Sequence, residues 1–265
     1  LKDDEPWKRL GIIVTADCDI VERKHGGVLS YVPVLDIRDY LSAFVFPIFF
    51  KRALRPTGAE LATLIRRYQA ENRSEFSVLL SSEAALSWAE TVSADELASE
   101  LRIGDERDRG KFVELAQAYL ELHSASNAGT YDQMIGVLVK ERRRAGGKED
   151  VFWKEVQNIV DNLPGDCFYL GRVSSTHKRM YVAYLRLVRE VREQEVAVLA
   201  TDLEKPEVVA KRISRLTSPY VYRLTQQLGD VFASIGLPKD YEQSRTGCAT
   251  TLRAARASDE KEQDR

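Results

Sequence analysis

The first forty residues alternate between short apolar runs and polar loops, a pattern typical of β-strands. An apolar run from Gly11 to Val14 stops at polar residues, and a second run over 28–37 follows the polar loop at 22–27. Short β-branched runs that end at turn residues predict buried strands. Because proline cannot donate to a β-ladder, Pro33 inside the second run predicts an edge position or a bulge. The N-terminal region is therefore expected to form a hairpin or a meander.

From residue 57 the apolar period changes to that of a helix. Thr57 with Glu60, and Ser93 with Glu96, have the spacing of a capping box, so each pair predicts a helix start. Apolar stripes at helical spacing predict three further helices, over 111–123, 131–144 and 151–160. We therefore expect roughly five helices between residues 57 and 162.

Strand patterns return after the Leu163–Asp166 turn. Apolar or alternating runs predict strands over 167–170, 181–191 and 195–201. Pro206 suits the first turn of a helix over 205–214, and Ser218-Pro219 precedes a second closing helix with apolar positions at helical spacing. Beyond residue 240 the composition becomes polar and charged, which predicts a disordered tail.

The order of these elements predicts an α+β fold, with β-structure at both ends and helices between. Each end has too few strands to be stable alone, so we expect the N- and C-terminal strands to pair into one small SH3-like β-barrel or sheet. The predicted β-core with its closing C-terminal helices covers 7–50 and 163–240, the large all-helical insertion covers 57–162, and the tail covers 241–265.

Composition places the chain among ordinary globular proteins. Lys and Arg number 39, Asp and Glu 41, and the net charge is −2, with 44% hydrophobic and 30% charged residues. These values exclude a fibrous or disordered chain and a protein that coats nucleic acid over its whole surface. The longest apolar stretch, 43–50, is too short to cross a membrane, and no signal-peptide pattern opens the chain. We therefore expect a cytoplasmic protein that does not engage a membrane.

Cysteine and histidine spacing predicts neither a disulfide framework nor a metal site. The three cysteines, Cys18, Cys167 and Cys248, are far apart, and no two stand at metal-ligand spacing. The chain also lacks the glycine-rich phosphate loops and the common hydrolase motifs. We expect no cofactor and no metal.

The sharpest local motif follows the first predicted strand, where Thr15, Cys18 and Asp19 cluster. One interpretation makes Cys18 a small buried hydrophobe and Asp19 a turn cap. Another gives Asp19 a binding or acid–base role. A third makes Cys18 a nucleophile, although the carboxylates on both sides would disfavour its thiolate. Asp19 and Cys18 are therefore the candidate catalytic residues.

The second candidate feature is a basic region in the C-terminal half. Residues 140–223 contain 17 basic and 12 acidic side chains, a local net charge of +5. The candidate nucleic-acid-binding residues are Lys140, Arg142, Arg143, Arg144, Lys178, Arg179 and Arg186. With Tyr181 and Tyr184 interleaved, such a surface is typical of RNA or single-stranded DNA binding. The alternative is a solvated face whose cations complete a helix C-terminus.

Three segments resemble a family of uncharacterised bacterial proteins. The stretch GIIVTADCDI resembles that family's T-x-[TD]-C-D-[IL] strand end, LPGDCFYLGRV with YVAYLRLV resembles its later strand pair, and SRLTSPYVYRLTQQLGDVFASIGLP resembles its closing helix. Together they cover about a quarter of the chain. Some members of the family look like neighbours of mobile-element or antiphage-defence genes, so the resemblance implies a defence context.

A second resemblance is to the MazF/PemK-like toxins, which are SH3-like barrels. The stretch from Arg212 to Leu216 is similar to their closing R-[IL]-x-x-L segment. The chain departs from their pattern at Arg9-Leu10, where they carry Arg-Pro, and through its long helical insertion. This resemblance implies an endoribonuclease, but no catalytic residue is carried over.

Three functions follow as hypotheses, and the sequence leaves open whether the protein is an enzyme. The first is a non-catalytic module that binds RNA, DNA or a partner protein within a bacterial defence or regulatory system. The second is a MazF-like endoribonuclease toxin, with Asp19 as acid or base and Arg179 or Arg186 stabilising the transition state. The third is a protein–protein scaffold.

Overall fold

A computed structural model of the chain describes residues 5–72, 78–171, 179–197, 200–233 and 247. The predicted tail, apart from residue 247, lies outside the described residues, as do Lys178, His177 and Cys248.

Strands from both ends of the chain share one antiparallel sheet. Its strands are β1 (Gly11–Ile13), β2 (Val28–Asp36), β3 (Cys167–Gly171), β4 (Tyr181–Tyr184) and β5 (Arg189–Arg192). Their order is β1-β2-β4-β3, and β5 pairs with β2 beyond the end of β4. A separate parallel pair joins β6 (Val196–Ala197) to β7 (Ala210–Lys211). The predicted pairing of the two ends is confirmed, but the strands of the described residues form an open sheet rather than a closed barrel.

Pro33 marks a break within β2 and not a sheet edge, so the predicted edge position is wrong. β2 lies between β1 on one side and β4 with β5 on the other. Residues 28–31 of β2 pair with β5, and residues 34–36 pair with β4. Pro33 falls in the gap between these two ladders, where its missing N–H leaves no bond unmade.

Gly11 permits the close approach of β1 to β2. A β-carbon at this position would overlap the Tyr31 ring, which is buried in the sheet. We expect Gly11→Ala to lower the free energy of unfolding by about 1–3 kcal/mol, because the ring or the strand must shift to make room. Urea denaturation measures this change. The matched control is Gly136→Ala, where nothing lies within 4 Å of the added carbon and a helix should gain stability. Equal effects in both variants would contradict the explanation.

The described part of the chain contains ten α-helices. They are α1 (Pro6–Arg9), α2 (Asp17–Val21), α3 (Ile37–Tyr40), α4 (Phe46–Glu71), α5 (Ser82–Ala89), α6 (Ala94–Glu100), α7 (Glu106–Ala128), α8 (Tyr131–Arg144), α9 (Glu149–Asp161) and α10 (Tyr220–Ala233). A π-helical turn over Leu41–Val45 joins α3 to α4. α8 has the predicted bounds, and the capping box of Ser93 with Glu96 is confirmed.

The predicted helix start at Thr57 is wrong. Thr57 lies buried in the middle of α4, where its hydroxyl donates to the Ala53 carbonyl at 2.9 Å. The helix begins eleven residues earlier because the apolar run over 43–50 packs into the core. The π-helical turn ends at Val45, two residues before Pro47. Proline has no N–H, so a regular helix loses one backbone hydrogen bond there.

The region between β5 and α10 also differs from its prediction. Residues 205–214 contain β7 in place of a helix, and the predicted strand over 195–201 shrinks to β6 followed by a 3₁₀ turn at Ala200–Glu204. The Val209 N–H donates to the Glu195 carbonyl at 2.9 Å, and the Arg212 N–H donates to the Ala197 carbonyl at 3.1 Å. These backbone bonds hold the segment extended, against the helix-start signal of Pro206.

Within the described ranges, the core consists of three apolar clusters. One joins the sheet to the helices, since it includes Leu35 and Val182 of the sheet with Phe46 and Phe152 of the helices. A second lies wholly among helices α4 to α7. The third packs α10 on the sheet through Leu224. The predicted domain bounds stay a prediction. In the first cluster, buried side chains from helices and from strands pack against one another.

Candidate nucleic-acid interface

The Cys18–Asp19 motif lies on the protein surface. Both residues belong to the five-residue helix α2, and the Cys18 thiol is exposed, so the interpretation of Cys18 as a buried hydrophobe is wrong. Its Sγ lies 3.8 Å from the Asp19 carboxylate, and no described histidine hydrogen-bonds to it. Thr15 has a structural task here, because its hydroxyl accepts a 2.7 Å bond from the Ser30 N–H and so ties the end of β1 to β2.

The side chain of His25, in the loop between α2 and β2, is buried. It is 2% exposed, and its Nδ1 accepts a bond from the Gly27 N–H at 3.1 Å. The neutral ring therefore carries its proton on Nε2, which lies 3.7 Å from the Glu193 carboxylate without a hydrogen bond. A protonated Nε2 cannot ligate a metal. Among the residues that the structure describes, no group of three or more His, Cys, Asp or Glu side chains is placed to hold a metal ion.

The cations proposed to act with Asp19 pair with other carboxylates. The Arg179 guanidinium lies 3.5 Å from Asp36, and Arg186 pairs with Asp166. Asp36, the partner of Arg179, is the last residue of β2, whereas Asp19 lies in α2, before the first residue of β2. A nine-residue strand is about 30 Å long, so the two carboxylates lie near opposite ends of β2. No ion pair in the described part of the chain joins Asp19 to either arginine. The catalytic roles of Asp19 and Cys18 stay predictions.

The predicted cations around the end of α8 are also paired. Lys140 pairs with Glu121, Arg142 with Glu155, Arg143 with Glu149, and Arg144 with Glu141. Surface pairs of this kind are weak and exchange with other anions. Their role as nucleic-acid ligands stays a prediction, but each of them would have to leave a carboxylate to contact a phosphate.

Arg144 is the most firmly held of these cations. The hydrogen bonds that its guanidinium donates to the Glu141 carboxylate raise the pKa of Arg144, and its NH2 group donates to the Thr57 hydroxyl at 3.2 Å. Arg144 thus fixes the end of α8 against the middle of α4, which is a structural role.

Tyr181 and Tyr184 are not available to stack on bases. Tyr181 is buried in the sheet, and Tyr184 packs against Phe44 and Trp7, with ring centroids 4.9 and 6.1 Å away. The two rings do not form one stacking surface with the basic residues, because Tyr181 lies in the cluster with α10 and Tyr184 packs on the opposite face of the sheet.

A different cationic and aromatic surface lies just before and at the start of α10. We call residues 211–222 the cationic segment. It contains Lys211, Arg212 and Arg215 and no acidic residue. The Tyr220 and Tyr222 side chains are 57% and 71% exposed. Arg215 pairs with Asp17 of α2, whereas Lys211 and Arg212 make no ion pair with any described residue. The run without acids was visible in the sequence, but the exposure of the two tyrosines was not.

Helix α10 presents Tyr222 to solvent because it packs on the sheet through one stripe only. Leu224, Leu228 and Val231 follow one another at spacings of four and three residues and contact the sheet cluster. Tyr222 falls on the opposite side of the helix, since two residues correspond to about 200° of rotation. The amphipathic period of α10 thus fixes which ring faces solvent.

A cleft of about 350 Å³ separates α10 from the turn before β3. Arg223, Gln227 and Asp230 line the helix side, and Asp166 and Arg186 line the opposite side. The Gln227 amide donates to the Gly165 and Cys167 carbonyls at 2.8 and 3.0 Å, which fixes the helix to the edge strand. Of the predicted site residues that the structure describes, only Arg186 lines this cleft.

Cys167, the first residue of β3, is buried. Burial raises the pKa of its thiol to about 12, so the thiolate is scarce at neutral pH. Its Sγ lies 3.7 Å from the Asp166 carboxylate, which also disfavours the thiolate.

Comparisons with known family models, curated proteins and solved structures gave no match to this chain. No helix in the described ranges has the length and hydropathy that a membrane span requires.

Proposed function

We propose that this protein is a non-catalytic module that binds single-stranded nucleic acid through its cationic segment. The observation that carries the proposal is the exposure of Tyr220 and Tyr222 within a segment that has three cations and no acid. Phosphate charge and base stacking on exposed rings are the two contributions on which sequence-tolerant single-strand binding depends.

The charge distribution favours this segment over the end of α8. The four α8 cations each have a carboxylate partner, whereas Lys211 and Arg212 have none among the described residues. A phosphate that binds to an unpaired cation releases only small counterions, while a paired cation must first lose its carboxylate. The unpaired cations are therefore the better phosphate ligands.

The geometry also favours binding over catalysis. Metal-free ribonuclease chemistry needs an acid, a base and a charge stabiliser within a few ångströms of the reacting phosphate. Asp19 has no described contact with Arg179 or Arg186, and His25 is buried. The defence context and the resemblance to bacterial families stay predictions.

Removal of both tyrosine rings is expected to weaken single-strand binding. In a titration of a fluorescent 11-nucleotide uridine RNA and the matching thymidine DNA, Tyr220→Ala with Tyr222→Ala should lower affinity by at least about tenfold, because each stacked base contributes about 1–3 kcal/mol. The matched control is Tyr169→Ala, whose ring is 48% exposed on β3 and outside the segment. Its affinity should equal that of the unchanged protein.

The salt dependence of the same titration tests the charges. Lys211→Ala with Arg212→Ala should reduce the slope of log affinity against log salt by about 1.4, or 0.7 for each lost phosphate contact on a single strand. No binding near 50 mM salt, or a flat salt response, would rule out nucleic acid and leave the partner-protein hypothesis.

A further inference from the structure

We propose that Asp17 of helix α2 is an autoinhibitory group that competes with the nucleic-acid backbone for Arg215. This inference rests on the proposed function and adds a means of regulation to the same site. The Asp17 carboxylate pairs with the Arg215 guanidinium, although 198 residues separate them in the sequence. A strand phosphate that takes the same guanidinium donors must displace this carboxylate, so α2 sets a threshold for binding.

The two partners stand on anchored backbone, but their side chains are open to solvent. Leu216, which follows Arg215, packs against the cluster that joins α10 to the sheet. Thr15, two residues before Asp17, accepts the 2.7 Å bond from the Ser30 N–H. The Arg215 and Asp17 side chains are 69% and 75% exposed, so a phosphate can reach the pair. The fold therefore places the carboxylate beside the cation, while the pair itself stays free to exchange.

Helix α2 is an anionic element that can move away from the cationic segment. Residues 17–22 carry three carboxylates and no cation, whereas the cationic segment has no acid of its own. None of the five residues of α2 is buried. A shift of α2 therefore exposes no core surface, and elements of this kind open at low cost in free energy.

Arg215 lies on the path of a strand that uses the rest of the segment. It follows the unpaired Arg212 by three residues and precedes the exposed Tyr220 by five. Five residues span at most about 18 Å, so a strand that contacts Arg212 and stacks on Tyr220 brings a phosphate close to Arg215. A strand held at these two points presents that phosphate at a high effective concentration, which favours displacement of Asp17. An isolated anion lacks this advantage.

The test is a titration of the fluorescent 11-nucleotide uridine RNA near 50 mM salt with four proteins, namely the unchanged chain, Asp17→Asn, Arg215→Gln and the variant with both substitutions. Asp17→Asn should raise the affinity by about 2- to 5-fold, because the strand no longer has to open a surface ion pair. In the presence of Arg215→Gln, Asp17→Asn should leave the affinity unchanged, since no guanidinium remains to be released. The two substitutions are therefore expected to be non-additive.

Asp19→Asn is the matched control. It removes the same charge from the same helix, and Asp19 makes no ion pair with any described residue. It should change the affinity less than Asp17→Asn does, and its effect should be the same with and without Arg215→Gln.

The sign of the change separates competition from a structural role. An unchanged or lower affinity for Asp17→Asn would mean that the pair does not oppose binding, and it would overturn the inference. Equal gains from Asp17→Asn and Asp19→Asn, or a gain that persists with Arg215→Gln, would assign the effect to net charge and would also overturn it. In these cases, binding that still depends on Tyr220 and Tyr222 keeps the proposed function. Absence of binding by all of these proteins would overturn both together.

Discussion

Phe46→Ala is expected to lower the free energy of unfolding by about 3–5 kcal/mol, the largest loss that we predict for a single residue. The Phe46 side chain is fully buried, and its ring lies 5.6 Å from that of Tyr131 and 6.5 Å from that of Phe152. Three helices meet on this ring, so its removal leaves a cavity that none of them can close by moving alone. Urea denaturation followed by circular dichroism and by tryptophan fluorescence measures the loss.

The control for Phe46→Ala lies two residues further along the same helix. The Ile48 side chain is 51% exposed, so Ile48→Ala should change the free energy of unfolding by less than about 0.5 kcal/mol. Because Phe46 shares a cluster with Leu35 and Val182 of the sheet, the two probes should report one transition. A loss no larger than that of the control, or two separate transitions, would contradict the shared core.

The elements that sequence analysis predicted best are those with a long apolar period and a clear cap. α8 has both, and its bounds agree with the prediction residue for residue. The pairing of the chain ends also followed from a physical argument, since neither end has enough strands to be stable alone. Elements shorter than five residues, such as β6 and β7, have too little periodicity to be found in this way.

The start of α4 shows where local rules fail. The capping-box spacing of Thr57 with Glu60 placed the helix start at Thr57, and Pro56 disfavours a helix interior. Burial of Phe46, Phe49 and Phe50 stabilises the longer helix by more than Pro56 costs. That balance depends on contacts with α9, which lie about one hundred residues away along the chain.

The candidate site was harder to predict because its charges pair over long distances. Arg186 lies 20 residues from Asp166, and Arg215 lies 198 residues from Asp17. A count of charged residues along the sequence assigns Arg186 and Arg215 to a basic region, although in the structure each of them pairs with a carboxylate. What distinguishes the cationic segment is the exposure of Tyr220 and Tyr222, and the exposure of Tyr222 depends on which stripe of α10 packs on the sheet.

Leu224→Ala should weaken the docking of α10 and, with it, nucleic-acid binding by the cationic segment. Leu224 is 3% exposed and is the buried residue of a helix whose other side chains are exposed or half-buried. Truncation of a buried leucine costs about 2–5 kcal/mol. Because α10 contacts the rest of the protein mainly through this stripe, we expect the loss to appear as local opening of the helix. Amide hydrogen exchange should then accelerate in α10 and stay unchanged in α8.

The same variant tests whether single-strand binding needs the folded helix α10 or only the charges and rings of its sequence. If Tyr222 acts because α10 holds it in place, Leu224→Ala should lower single-strand affinity nearly as far as removal of both tyrosine rings, although no charge and no ring is lost. Leu203→Ala, at a leucine that is 50% exposed, is the matched control and should bind normally. Fast exchange in α10 with full affinity would mean that the cationic segment binds as an extended chain and does not need the folded helix.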